Sequence, residues 1–169
     1  MRRLLDALYD GAAWLAALAM VGVLVMVLLA IAGRQFNFHL PGTDAYAGYS
    51  MAAAGFLALA HTLKRHEHIR VTLLIGRLQG RARRGLELWS LACAVLLSGL
   101  LAFFSVRLAW QSHLFNDIST SNDATPLWIP QIGMAVGALI LLVAFIDELL
   151  VELRGQRAQE VPEEALHNE

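Results

Sequence analysis

Four apolar stretches, each bounded by charges or turn formers, divide the chain. No charged side chain occurs from residue 11 to 33, and 23 such residues suffice to cross a hydrocarbon core of about 30 Å. This predicts a first membrane span over 11–33. Pro41-Gly42 is a turn signal, and Thr43 or Asp44 is placed to cap the next helix. The second run, 45–63, is close to the minimum for crossing. In it Ala45, Gly48, Ala52 and Gly55 recur three and four apart, which leaves a smooth face where another helix backbone can approach. A third span is predicted over 86–108, with a second small-residue stripe at Ala94, Ser98 and Ala102. Nothing in 107–115 breaks that helix, so it has room to project beyond the membrane. After a polar loop, Thr125-Pro126 reads as an N-cap and first-turn proline of a fourth span over 126–148. This span carries a G-x-x-x-G pattern at Gly133 and Gly137, a second expected site of close packing with a partner.

Between the second and third runs the pattern changes to short, basic and amphipathic. On a helix, Val71, Leu74, Ile75, Leu78 and Ala82 share one face, while Arg70, Arg77, Arg81 and Arg84 line its flank. The reading is an interfacial helix over 69–78, its apolar face at the headgroup boundary. Each Arg of such an anchor adds about 1 kcal/mol of attraction to anionic lipid headgroups. A solvated basic loop is the alternative, because Gly76 and Gly80 weaken a helix.

Composition moves the whole chain into the bilayer. Hydrophobic residues make up 57% and charged residues 16%, with a mean hydropathy of +0.55, outside the range of soluble domains. The expected fold is an all-α integral membrane protein: four transmembrane helices with a short interfacial helix between the second and third. A short N-terminus (1–10) and a polar, acidic, disordered tail (155–169) would flank a membrane domain over 11–154. In that layout eleven of the 13 Lys and Arg fall on one side and only Arg34 and Arg107 on the other, which puts both termini in the cytoplasm. Trp14 and Trp89 then sit near cytoplasmic helix ends, and Tyr46, Tyr49, Trp110 and Trp128 near outer ones. A cleaved signal peptide is the competing account of the N-terminus, since Arg2-Arg3 imitates an n-region and Ala30-Ile31-Ala32 a cleavage site. The apolar run is, however, longer than the roughly 7–15 residues of an h-region. Cys93 is the single cysteine, so no internal disulfide forms.

Candidate chemistry is sparse. His66 and His68, two apart, would point about 200° from each other on a helix, and the segment lacks the H-E-x-x-H spacing that aligns two imidazoles on one metal. Haem would need two axial ligands at similar depth, yet His61 lies near one side of the membrane and His39 and His113 near the other. No Asp, Glu, Lys or Arg falls mid-span, where proton relays and ion sites require one. Ser50, Ser98 and Ser105 are read as hydroxyls bonding their own helix carbonyls. No catalytic residue, cofactor, metal or nucleic-acid partner is expected, and the spans read as scaffold.

The stretch Glu67-His68-Ile69-Arg70-Val71, with four spans and the Thr125-Pro-Leu-Trp-Ile-Pro130 entry to the last, resembles the small membrane subunit of tripartite ATP-independent periplasmic (TRAP) transporters. The resemblance covers about residues 10–150. Asp44 stands alone where the family often has an acidic pair, and Thr72 stands where Asp is frequent. The resemblance implies a non-catalytic permease subunit in a bacterial inner membrane. It would brace a large substrate-translocating subunit for symport of an organic acid delivered by a periplasmic binding protein. The other classes weighed are a membrane interaction protein outside transport and a small membrane cytochrome.

Overall fold

The computed structural model describes residues 2–38, 40–64, 81–121 and 123–154. The four apolar runs form four helices: α1 (Arg2–Gln35), α2 (Thr43–Lys64), α3 (Arg81–Leu114) and α4 (Trp128–Leu153). Three of them, α1, α3 and α4, are long and apolar enough to cross a membrane. No strand occurs among the described residues, only an isolated bridge between Ile118 and Pro126. The segment expected to form the interfacial helix, 69–78, and the tail 155–169 lie outside the described residues.

Asparagine ends both long helices. Asn37 and Asn116 take left-handed backbone angles, φ 56° and 53°, just past α1 and α3. Each lets the next residue's amide reach back to an orphan carbonyl, Phe38 N to Gly33 O at 3.1 Å and Asp117 N to Ser112 O at 3.0 Å. Asn tolerates this conformation better than other residues with a Cβ, so Phe-Asn-Phe and Phe-Asn-Asp act as stop signals.

The helices pack in the order α1, α2, α4, α3, each mainly against its neighbours, with α1 touching α4 only slightly. α1 and α2 are antiparallel, since Asp6 and Asp10 near the start of α1 meet Lys64 and His61 at the end of α2. α2 and α4 run parallel: Gly133 faces Ala53 and Gly137 faces Phe56. α3 and α4 are antiparallel, joined from the His113–Trp128 ring contact at one end to Arg84 and the Leu153 carbonyl at the other. The molecule thus has a loop end, holding both short connections, and a terminus end.

Small residues make these contacts possible. A Cβ on Gly137 would lie 2.5 Å from the Phe56 carbonyl carbon, and one on Gly133 would lie 3.0 Å from the Ala53 Cβ. The G-x-x-x-G pattern therefore brings two backbones together within this chain. The stripe at Ser98 and Ala102 continues through Ser105 to Ser112, all buried. Ser98 Oγ donates to the Val95 carbonyl at 3.1 Å, so its burial leaves no donor unsatisfied. A buried cluster of Tyr9, Ala60, Leu63, Leu141 and Ala144 ties α1, α2 and α4 at the terminus end. Apart from Leu57, most other large apolar side chains of the described residues are exposed or half-buried.

Candidate partner face and end clamps

The face of α2 built from Gly48, Ala52 and Gly55 is open. All three are exposed, a Cβ on either glycine would meet nothing within 4 Å, and Met51 beside them is 68% exposed. This face runs along the first and middle turns of α2 on a different side from the seam that Ala53 and Phe56 make with α4. The two sets of packing glycines therefore part company. Gly133 and Gly137 are covered by α2 of the same chain, whereas Gly48 and Gly55 are uncovered.

At the loop end, the α3–α4 connection folds onto the start of α2. Ser119 N donates to Thr125 O at 2.9 Å and Leu127 N to Asp117 O at 3.0 Å, closing a small hairpin around the Ile118–Pro126 bridge. Two tyrosines of α2 hold it. The Tyr49 hydroxyl lies 2.9 Å from Ser119 Oγ and 3.1 Å from Asp123 Oδ2, and the Tyr46 hydroxyl lies 3.0 Å from Thr125 Oγ1. Desolvation works to raise the Asp123 pKa, but hydrogen bonds from Thr125, Ser119, its own backbone and Tyr49 outweigh it and hold the carboxyl below its usual value. Gly42, at φ +85°, opens α2 against this hairpin, and a Cβ there would come within 2.6 Å of the Asp123 Cβ. Thr125 consequently does not cap α4. The helix begins two residues beyond Pro126, after Leu127, with no side-chain cap, because the Thr125 hydroxyl is engaged by Tyr46.

At the terminus end, Lys64 Nζ contacts Asp6 Oδ1 and sits 5.1 Å from the Tyr9 ring centroid. His61 Nδ1 lies 3.6 Å from Asp10 Oδ1. Arg84 reaches the Leu153 carbonyl at 3.5 Å, tying α3 to the end of α4. Arg81 starts α3, while Arg70, Arg77 and the whole Glu67, His68, Ile69, Arg70, Val71 motif fall outside the described residues. Among the described residues, no group of three or more His, Cys, Asp and Glu is placed to hold a metal.

The described residues offer packing faces and, at the two ends, polar clamps. Residues 23–155 match the family described as Tripartite ATP-independent periplasmic transporters, DctQ component. The chain belongs to this family. It is a small TRAP transporter subunit, a component of a transporter that works with other TRAP components. Comparison with the curated proteins returns no match. The clamps were partly legible beforehand: Tyr46 and Tyr49 read as interfacial aromatics, but nothing local linked them to Ser119, Asp123 and Thr125, more than 65 residues away.

Proposed function

We propose that this DctQ component is the non-catalytic small permease subunit that braces the large substrate-translocating subunit. The transport itself would be ion-gradient-driven uptake of an organic acid handed over by a periplasmic binding protein. The observation that carries the reading is the open Gly48–Ala52–Gly55 face on α2, which suits close approach by a helix of the larger subunit. In this reading the membrane domain spans 11–154, and α2 is the fourth crossing element. Its 22 residues reach about 33 Å, and it lies between α1 and α4 from one end of the molecule to the other. The Lys and Arg asymmetry favours an inner-membrane protein with both termini in the cytoplasm.

Replacing Gly48 and Gly55 with Leu tests the brace. The isolated subunit should keep its thermal stability, because no described residue opposes either Cβ, while co-purification with the large subunit should fall sharply. Normal co-purification and uptake would rule this face out.

The basic segment has its own role in the proposal. Arg70, Arg77, Arg81 and Arg84 would anchor the scaffold at the cytoplasmic headgroups while the partner's transport domain moves, with guanidinium binding phosphate and its stem lying on apolar surface. Arg70→Gln with Arg77→Gln should remove about 2 kcal/mol of interfacial attraction. Uptake by reconstituted vesicles should then drop and lose its preference for anionic lipid, with substrate specificity unchanged. Unaltered uptake and lipid dependence would leave these arginines as topology signals alone.

A further inference from the structure

An apolar groove of about 490 Å³ runs between α3 and α4, floored by Gly99 and Ala102 and walled by Phe103, Trp110 and Leu139, with Arg107 at its upper edge. It faces outward: Phe103 is 61% and Trp110 69% exposed. From Gly99 to Trp110 the groove follows α3 for about 16 Å, which is the hydrocarbon depth of one leaflet. Arg107 lies within a helix apolar enough to cross the membrane, seven residues before its end at Leu114, or about 10 Å along the axis. Among the described residues it meets no carboxylate within ion-pair distance. A cation at that depth is costly unless its head reaches an anion near the interface. Trp110, one turn further along, marks that interface.

We propose that this groove holds one glycerophospholipid of the leaflet at the loop end, its phosphate on the Arg107 guanidinium beside Trp110 and one acyl chain along Gly99 and Ala102. The match is of charge and length together. Arg binds phosphate bidentately, and the apolar slot beneath it follows α3 from Arg107 to Gly99 for about 12 Å, the length of the upper part of one acyl chain. A helix of the large subunit is the competing occupant and suits the groove less. Its walls are large side chains, unlike the flat α2 face, and it would have to bring its own carboxylate to Arg107. This site lies at the opposite end of α3 from the basic segment 64–84 and does not depend on that segment's role.

The test uses the full-length protein in mixed micelles with a phosphatidylglycerol that carries a photoactivatable diazirine midway along one acyl chain, and maps cross-links by mass spectrometry. Adducts should concentrate on 99–110 and 139–142, exceeding those on the outward face of α1. Arg107→Gln should lower them about fivefold, the share of one interfacial cation, and Arg107→Lys should restore most of the loss. Gly99→Leu should block them by filling the floor, where a Cβ meets only the Leu142 Cδ1 at 3.7 Å. A diazirine fatty alcohol lacking phosphate should label wild type and Arg107→Gln alike. Labelling of the groove should persist in the co-purified transporter complex. Groove labelling no stronger than on α1, or indifferent to both Arg107 variants, would overturn the proposal. So would protection by the large subunit, which would give the groove to a protein helix. If Gly99→Leu does not insert, the Arg107 variants decide alone.

Discussion

Asp123 shows how much one loop carboxylate depends on residues that its own sequence neighbourhood does not reveal. Its hydrogen bonds from Tyr49, Ser119 and Thr125 lower its pKa in the folded chain, and the sign of the linkage follows. The carboxylate stabilises the folded hairpin at every pH above its unfolded value near 3.8, and that contribution is lost as pH falls below this through the folded value. Asp123→Asn should therefore melt lower than wild type from pH 5 to 8 by a constant margin, and the two melting curves should converge below about pH 3.8. A margin that grows on acidification would mean that Asp123 does not act through its charge. Ala124, next in the chain, holds φ 48° in the same hairpin, a conformation an alanine takes only when its surroundings over-determine it.

At the scale of elements, the existence of all four helices could be read from the apolar runs, because a membrane span must satisfy its backbone internally and so is long and unbroken. Their ends were less legible. α1 begins at Arg2 and takes in Asp6 and Asp10, since side chains that leave the apolar zone still favour continuing the helix. The start of α4 slips past Thr125 because a tertiary bond from Tyr46 competes with the cap. The small-residue stripes were visible, but not which helix each would meet. Periodicity names a face and leaves its neighbour open, so Gly137 and Gly48 looked alike in sequence. Their substitutions should behave differently. Gly137→Ala drives a Cβ into the Phe56 backbone and should destabilise the isolated subunit by about 1–3 kcal/mol in a thermal melt. Unchanged stability would mean that α2 and α4 are not pressed together there.

For the molecule as a whole, four alternating helices return the end of α4 to the level at which α1 begins. The described cations follow this division, with Lys64, Arg84 and Arg154 at the terminus end and Arg34 and Arg107 towards the loop end. Reporter fusions at Glu169 and within 116–121 should then give opposite signals, cytoplasmic for the former; matching signals would refute four crossings. The row order α1, α2, α4, α3 also leaves α1 and α3 at the two edges with broad outward faces. The family resemblance was legible at Glu67–Val71, a stretch outside the described helices, so it carried little about how the row of helices assembles.

The parallel pairing of α2 with α4 has a consequence for biosynthesis. The chain leaves the ribosome in sequence order, so α2 emerges beside α1 and must wait until residues 128–153 are made before the surface around Ala53 and Phe56 is covered. Through that interval α2, shorter than the three helices long and apolar enough to cross a membrane, has only α1 of its own chain to lean on. An α1–α2 hairpin made before α4 thus leaves the Ala53 and Phe56 flank of α2 uncovered until Gly133 and Gly137 of the last helix arrive to close the seam.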